Sequence, residues 1–440
     1  MSELWPGRHG PNVDYISFPP SLSWQTTFPR KIVLLGSTGS IGRNALAVID
    51  QNPELFSVQG LSCGSNAQLL VSQASKYRPP YLAVATEEVR ASVEDALPAN
   101  YRPIIFVGRE GYVRLATVPE ATTVLSAQSG AAGLAGTLAA ALSGRVICLA
   151  NKESLVLAGS LVRDIAALTG AALLPVDSEH NAIFQCLAGR NQDVHSIVLT
   201  ASGGPFRGMS AAQMANMQPE KALAHPNWKM GKKISIDSAT MMNKGLEIIE
   251  AFHLYGVAKE QIEVVIHPQS LVHSLVRLCD GSLLAQMGQA DMKLPLAHCL
   301  SWPRRTQEVT SRLDLARVGQ ITFEEADHEA FPCLALAKRA LAERGGMCVV
   351  LNAANEAAVE LFLHGQVSFA AIPRLIARAL DAHAATSPGH QPFCPPLAGR
   401  ARDLNDLSRL VREIEERIVH LDRKSREFVR ACAREGERTC

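Results

Sequence analysis

The spacing of apolar positions changes character three times along the chain. Residues 1–30 have no periodicity, contain several prolines and read as an arm. From Lys31 onward, short apolar runs of strand length alternate with helical stretches. The runs are Ile32–Leu35, Val58–Ser62, Tyr81–Ala85, Ile104–Val107 and Val146–Leu149, and Asn44–Asp50 is an amphipathic helix after the first. Parallel neighbours need a crossover, usually helical, so this rhythm predicts a parallel, doubly wound sheet. Leu173–Asp177 and Ser196–Ala201 are further strand-like pieces on either side of an expected helix at Glu179–Leu187. Ile262–His267, Ser270–Val276 and Leu283–Met287 make the middle β-rich, which suits a second α/β domain with a mixed sheet. Beyond about residue 330, Cys333–Arg344, Val349–Leu363 and Ile372–Ala384 are Ala/Leu-rich and read as helices. Thr386–Gly399, with four prolines, reads as a loop. Residues 403–434 carry Leu404, Leu407, Leu410, Val411, Ile414 and Ile418 at helical spacing on a charged helix. The expected class is α/β, with a doubly wound Rossmann-type N-terminal domain, a central α/β domain and a C-terminal α-helical bundle. The expected boundaries are an arm at 1–30, domains at 31–176 and 177–317, a linker at 318–345 and the helical domain at 346–440.

Composition narrows the function. Of 440 residues, 47% are apolar and 19% charged, which excludes a disordered chain. Lys and Arg total 43 against 42 Asp and Glu, so no basic excess points to nucleic acid or an anionic membrane. The ten cysteines form no Cys-x-x-Cys pair, which removes zinc-ribbon and thioredoxin-like readings and suits reduced, buried thiols. The start of the chain lacks the basic and apolar stretches of a signal peptide. Ala121–Gly144 is uncharged and long enough for a bilayer, but its Ala, Gly, Ser and Thr content suits close-packed soluble structure better. The expectation is a cytoplasmic protein with no membrane or nucleic-acid partner.

Several strings could carry chemistry. Gly36-Ser37-Thr38-Gly39-Ser40-Ile41-Gly42 lies between a strand and a helix, where glycines allow a tight turn and the helix N-terminus accepts a pyrophosphate. Its G-x-x-G-x-x-G spacing is a variant of the usual fingerprint, and a turn that binds nothing is the alternative. The turn after the second strand, Cys63-Gly64-Ser65-Asn66, holds no acid for a ribose 2′-hydroxyl, which favours NADP over NAD. Asp177 and Glu179 could hold a hard cation if the chain stays extended, or simply begin a helix. The run His225–Lys233, with Trp228 inside it, is either a lid over an anionic substrate or an exposed basic loop. In Asp237–Glu247, Asn243, Lys244 and Glu247 share a helix face. They could bind phosphate and metal, or be a surface Lys–Glu pair with Ser238 as cap. His267 and His273 lie in strand-like segments, where a histidine is more often structural than catalytic.

These strings, with Leu149–Val156, Pro175–Ala182, Ala201–Arg207 and Ile266–Ser274, resemble the 1-deoxy-D-xylulose-5-phosphate reductoisomerase family from about Lys31 through the helical C-terminal region. The resemblance implies an NADPH-dependent rearrangement and reduction of 1-deoxy-D-xylulose 5-phosphate to 2-C-methyl-D-erythritol 4-phosphate, in the non-mevalonate route to isoprenoids. It implies a divalent cation (Mn²⁺, Mg²⁺ or Co²⁺) and a homodimer, with NADPH bound by the first domain and substrate by the second. Carried over by position, Asp177, Glu179 and Glu247 would ligate the metal. Lys152 and Ser178 would meet the substrate beside it. Ser202, His225, Ser238, Asn243 and Lys244 would hold the phosphate, and Trp228 would close over the carbon skeleton. Thr38, Gly39, Ser40 and Ile41 would take the pyrophosphate and Gly64, Ser65 and Asn66 the adenosine end. Asn151, Lys152, Glu153 and Gly231 would meet other parts of NADPH. His273 matches a family histidine near the substrate. Lys152, Glu179, His225, Glu247 and His273 make up the implied catalytic set. Many members have Lys or Arg where this chain has Ser65, so a milder preference for NADPH over NADH is implied.

Two other functions fit parts of the sequence. A semialdehyde-type dehydrogenase would share the glycine turn but needs a nucleophilic cysteine in a polar site. A non-catalytic NADP-binding regulator would have no use for the three acids.

Overall fold

The computed structural model describes residues 16–17, 19–187, 194–228, 230–307, 309–386, 393–397, 400 and 403–436. Half of the expected arm at 1–30 and much of the expected loop at 386–399 lie outside these residues. The chain forms two compact units, each assembled from separated stretches. One takes residues 1–154, 162–191 and 291–313, and the other 155–161, 192–290 and 314–440.

The first unit is built on a seven-stranded sheet: β1 (Arg30–Leu35), β2 (Phe56–Ser62), β3 (Tyr81–Val84), β4 (Ile104–Val107), β5 (Thr123–Ser126), β6 (Val146–Leu149) and β7 (Ala172–Pro175). The order is β4-β3-β2-β1-β5-β6-β7 and every pairing is parallel. The doubly wound expectation is therefore met. Strand order reverses at β1, so the crevice beyond the carboxyl ends of β1 and β5 is where such sheets bind ligands. The expected strand at Leu173–Asp177 stops at Pro175, and a helix begins at Ser178. The uncharged run at 121–144 resolves into β5 and the helix Leu134–Leu142, both nearly fully buried. Among the described residues no helix is long and apolar enough to cross a membrane.

The described end of the arm is packed, not loose. Residues Leu22–Thr26 form one helical turn whose Trp24 Nε1 donates to Thr123 Oγ1 at 3.1 Å. The buried Arg30 guanidinium stacks on the rings of Trp24 and Phe28 and donates to the main-chain oxygen of Trp302 at 2.7 Å. The helix Lys293–Ser301, far along the chain, packs on the helix Ser40–Gln51 and on β6 and β7.

The second unit has a mixed sheet, as expected: β8 (Val194–Ala201), β9 (Ile262–Ile266), β10 (Val272–Leu278), β11 (Leu283–Met287) and β12 (Glu324–Glu325), in the order β11-β10-β8-β9-β12. Only β8 and β9 run parallel. The helix Met242–Tyr255 is buried along most of its length. The helices Cys333–Glu343, Met347–Leu363, Ala371–Thr386 and Leu404–Gly436 fall close to where apolar spacing predicts them. Met347–Leu363 is the buried centre of this group, contacted by the other three.

Candidate active site

In the first unit the turn after β1 is shaped by contact distances. Gly36 has φ +90°, and a Cβ there would lie 2.7 Å from the main-chain oxygen of Ala127. A Cβ on Gly42 would lie 2.4 Å from Gly36 O and 2.5 Å from Ser37 Cα. Both neighbours are backbone and cannot move aside, so glycine is required at each. Ser62 Oγ accepts the Gly36 N–H at 2.8 Å, and Ser37 Oγ donates to Gln73 Oε1 at 2.7 Å. The turn is thus rigid before any ligand arrives. The helix Ser40–Gln51 follows with no side-chain cap at Gly39 and no acid in its first turn. Its first N–H groups and the positive end of its dipole remain available to an anion. Thr38, Gly39, Ser40 and Ile41 are all at least partly accessible.

The turn after β2 exposes Gly64, Ser65 and Asn66. Asn66 Oδ1 caps the next helix by accepting the Leu69 N–H at 3.1 Å. Asn151 is buried, and its amide is engaged within the chain. Nδ2 donates to Gln128 O at 2.7 Å, Gly130 O at 3.0 Å and Glu153 Oε2 at 3.1 Å, while Oδ1 accepts the N–H and hydroxyl of Ser154. That network fixes the start of the helix Glu153–Thr169, where Lys152 stands at the N-cap.

Lys152 is 6% exposed, and its ammonium pairs with Asp177 just beyond β7. Ser178 Oγ donates to Glu179 Oε2 at 2.6 Å. Residues 177–179 do begin a helix, with Asp177 O accepting the Asn181 N–H at 2.8 Å. A helix start alone has no need of a buried ammonium, so that simpler reading leaves Lys152 unexplained.

In the second unit β8 ends at Ser202-Gly203-Gly204. Gly204 has φ +68°, and a Cβ there would meet Ser238 O at 2.7 Å, so this loop lies directly against the 238–239 backbone. His225 has both ring nitrogens engaged. Nδ1 accepts the N–H groups of Asn227 (3.2 Å) and Trp228 (2.9 Å), and Nε2 lies 2.9 Å from Ser202 Oγ. An Nδ1 that accepts twice puts the proton of the neutral ring on Nε2, which then donates to Ser202. Ser202 Oγ also accepts the Gly204 N–H at 3.1 Å. With both lone pairs taken, its own hydrogen is left to give to an incoming acceptor.

Trp228 is half-buried with its ring 6.2 Å from that of His273, itself 5% exposed on β10. Gly231 precedes the helix Lys232–Ala239. Ser238 falls in the last turn of that helix, so it is not a cap. Asp237, buried before it, accepts from Lys233 Nζ at 2.7 Å and Asn355 Nδ2 at 2.8 Å. On the helix Met242–Tyr255, Asn243 Nδ2 donates to Glu247 Oε1 at 2.6 Å and Lys244 Nζ donates to Oε2. Lys244 is 3% and Glu247 0% exposed, so the surface-pair alternative fails. His267 is structural: its Nδ1 lies 2.9 Å from Thr322 O and its Nε2 accepts the Leu271 N–H at 3.1 Å.

Sequence reading passed over Asn227, Asp237 and Asn355. Asn227 and Asp237 stand inside quoted strings without a role, and nothing local marks Asn355. Five of the cysteines give no support to the dehydrogenase alternative. Burial pushes the thiol of Cys63 up to about 11 and those of Cys148, Cys333 and Cys348 up to about 12, and Cys299 well above the usual range. None of these is an activated thiolate.

Comparison with known proteins shows the family. The family model for 1-deoxy-D-xylulose 5-phosphate reductoisomerase matches residues 32–159, and two models for C-terminal domains of that enzyme match 173–255 and 287–427. A reductoisomerase of that name from Lawsonia intracellularis is 56% identical over 85% of this chain and 93% of its own. One from Burkholderia multivorans is 48% identical over 80% and 90%. A crystal structure of DOX-P reductoisomerase with magnesium superimposes at TM-score 0.81 and 39% identity, over 93% of this chain and 99% of that one. Another, in complex with NADPH, fosmidomycin and magnesium, gives 0.79 at 40% identity, over 90% and 98%.

Proposed function

The chain belongs to the 1-deoxy-D-xylulose 5-phosphate reductoisomerase family and catalyses its NADPH-dependent reaction, and we propose that the residues described above carry that chemistry. The substrate, 1-deoxy-D-xylulose 5-phosphate, is rearranged in its carbon skeleton, and the resulting aldehyde is reduced to 2-C-methyl-D-erythritol 4-phosphate. The observation that carries the residue assignment is the pair of buried ammonium–carboxylate contacts, Lys152–Asp177 and Lys244–Glu247. Burying charge costs several kcal/mol per ion. Such pairs persist more readily where a charged ligand uses them than where only packing is at stake.

The residues fit the two groups the family needs. The Gly36–Gly42 cradle, which a Cβ at either end would fill, suits a pyrophosphate. Asp177, Glu179 and Glu247 are hard oxygen donors of the kind that suit a divalent cation, whether Mg²⁺, Mn²⁺ or Co²⁺. When bound, the cation supplies a Lewis acid toward neighbouring substrate oxygens, and NADPH supplies the hydride.

The remaining roles belong to the chain. Lys152 holds a fixed positive charge toward the substrate's oxygens, and Ser178 orients them by a hydrogen bond. Ser202 gives its free hydrogen to the phosphate, held to that task by His225 and Gly204. Ser238, Asn243 and Lys244 complete the phosphate contacts, with Lys244 acting as a point charge. Trp228 closes over the carbon skeleton and excludes water, and His273 backs its ring. Thr38, Gly39, Ser40 and Ile41 take the pyrophosphate, Gly64, Ser65 and Asn66 the adenosine end. Glu153 and Gly231 meet other parts of the cofactor, and Asn151 contributes by fixing the turn before Lys152. The domain roles follow: 31–176 for NADPH, 177–317 for metal and substrate, 318–345 as a connection and 346–440 as helical support. We further propose a cytoplasmic homodimer.

The test is to mix the protein with 1-deoxy-D-xylulose 5-phosphate, NADPH and Mn²⁺ and follow the nicotinamide absorbance. Oxidation that stops on adding chelator supports the reading. No oxidation, with NADPH still bound by calorimetry, moves it to an NADP-binding regulator.

A further inference from the structure

We propose that Asn227 is a positioning residue, a latch that holds residues 225–228 on the turn joining β9 to β10. The inference rests on the reading of that segment as the cover of a phosphorylated substrate. Asn227 is exposed, yet its amide nitrogen makes two hydrogen bonds. Nδ2 donates to Pro268 O at 2.6 Å and to Ser270 Oγ at 2.9 Å.

The turn that receives it is held rigidly. His267, fully buried, engages Thr322 O on one side and the Leu271 N–H on the other, and its ring stacks on Phe323 at 4.7 Å. Gln269 clasps Thr322 with its amide, at 3.0 Å to Oγ1 and 3.2 Å from the N–H. Ser270 has φ +52°, in the left-handed region, and its N–H is tied to His267 O at 3.1 Å. A non-glycine residue keeps that conformation only where its surroundings impose it.

The same residue is also a hub. The main-chain N–H groups of Asn227 and its neighbour Trp228 set the ring of His225, and that ring sets Ser202. Fixing residue 227 on the turn therefore aligns a phosphate donor and the Trp228 ring together. Hydrogen bonds in a solvated position are weak enough to break and remake with each turnover, as a cover requires.

Asn227→Asp keeps the shape and removes both donors, and Asn227→Ala removes the group. For either, KM for 1-deoxy-D-xylulose 5-phosphate is expected to rise about tenfold with kcat within about twofold. Ser270→Ala should raise KM about threefold. The double change Asn227→Ala/Ser270→Ala should be no worse than Asn227→Ala alone, because the hydroxyl acts only through the amide. Without substrate, trypsin cleavage at the exposed Lys232 should quicken about tenfold in both Asn227 variants, since cleavage follows the opened population. The proposal is overturned if kcat falls while KM holds, if the two positions multiply independently, or if cleavage is unchanged. Absence of turnover in the unsubstituted protein would sink the functional reading instead, and the cleavage comparison would still judge the latch.

Discussion

In the first unit the groups proposed for a phosphate are main-chain N–H donors and neutral side chains around Gly36–Gly42; in the second, the proposed donors are Ser202, Ser238, Asn243 and the buried Lys244. The glycine cradle depends on backbone approach, so its failure mode is steric. The helix carrying Asn243, Lys244 and Glu247 depends on charges balanced out of water, so its failure mode is electrostatic. A steric fault should alter affinity and leave chemistry intact. An electrostatic fault should reach turnover and stability at once.

The largest effect should follow Glu247→Gln. It removes a carboxylate proposed as a cation ligand and takes away the charge that faces the buried Lys244 ammonium. Turnover should fall by about a thousandfold, with NADPH affinity within about twofold by calorimetry. Unfolding should be easier by about 3 kcal/mol, since a buried ion pair loses one of its two charges. If turnover survives, Glu247 is not a ligand and the contrast between the units collapses.

Gly42→Ala tests the other side. Its Cβ would press on Gly36 O and Ser37 Cα, so the turn must distort. NADPH should bind about a hundredfold more weakly and thermal stability should drop by about 1–3 kcal/mol. Unchanged affinity would mean that the cradle does not hold the cofactor.

The first unit also carries a pH liability. Burial pushes His298 down to about 3, where it lies between Asn181 and the rings of Phe184 and Trp302. The unfolded chain binds a proton at about 6.5 that the folded unit refuses. Stability is therefore full above about 6.5 and falls as pH drops toward 3, by about 1.4 kcal/mol per pH unit for this one group. Urea titrations across that range measure the slope, and His298→Phe should flatten it.

The smallest expected change is at Ser65. Ser65→Arg adds a charge at an exposed position on the adenosine side, and should raise the NADPH-over-NADH ratio about tenfold, seen in paired steady-state assays. No change would detach residue 65 from the 2′-phosphate.

The same contrast decided what could be read from the amino acids. The glycine turn was legible because backbone requirements leave a spacing, and most strands of the first sheet were legible as apolar runs. β5 was not, since Thr123–Ser126 is buried on both faces inside a run of small residues with no alternation to mark it. In the second unit Asp177, Glu179, Asn243, Lys244 and Glu247 could be picked out, but capping and surface pairing remained open until burial was known. Asn355 supports Asp237 from 118 positions away, and Asn227 depends on a turn 41 positions on. No local pattern encodes such partners. The order Trp24–Arg30–Trp302 was likewise invisible, because a residue expected in a loose arm is held by one from the far end of its unit.

That last arrangement bears on how the protein is made. The helix Lys293–Ser301 covers the helix Ser40–Gln51 and parts of β6 and β7, and Trp302 accepts from Arg30. During synthesis the parallel sheet is complete once Pro175 has emerged, yet its covering element arrives more than a hundred residues later. In the interval apolar surface meant for that helix stays open, while the strands and loops of the other unit are already leaving the ribosome. The exposure ends in two stages: a chain released before residue 291 should aggregate through the uncovered sheet of the first unit, and one released just after 313 should have that surface covered but still expose the helix Met242–Tyr255, whose partner Cys333–Glu343 comes later.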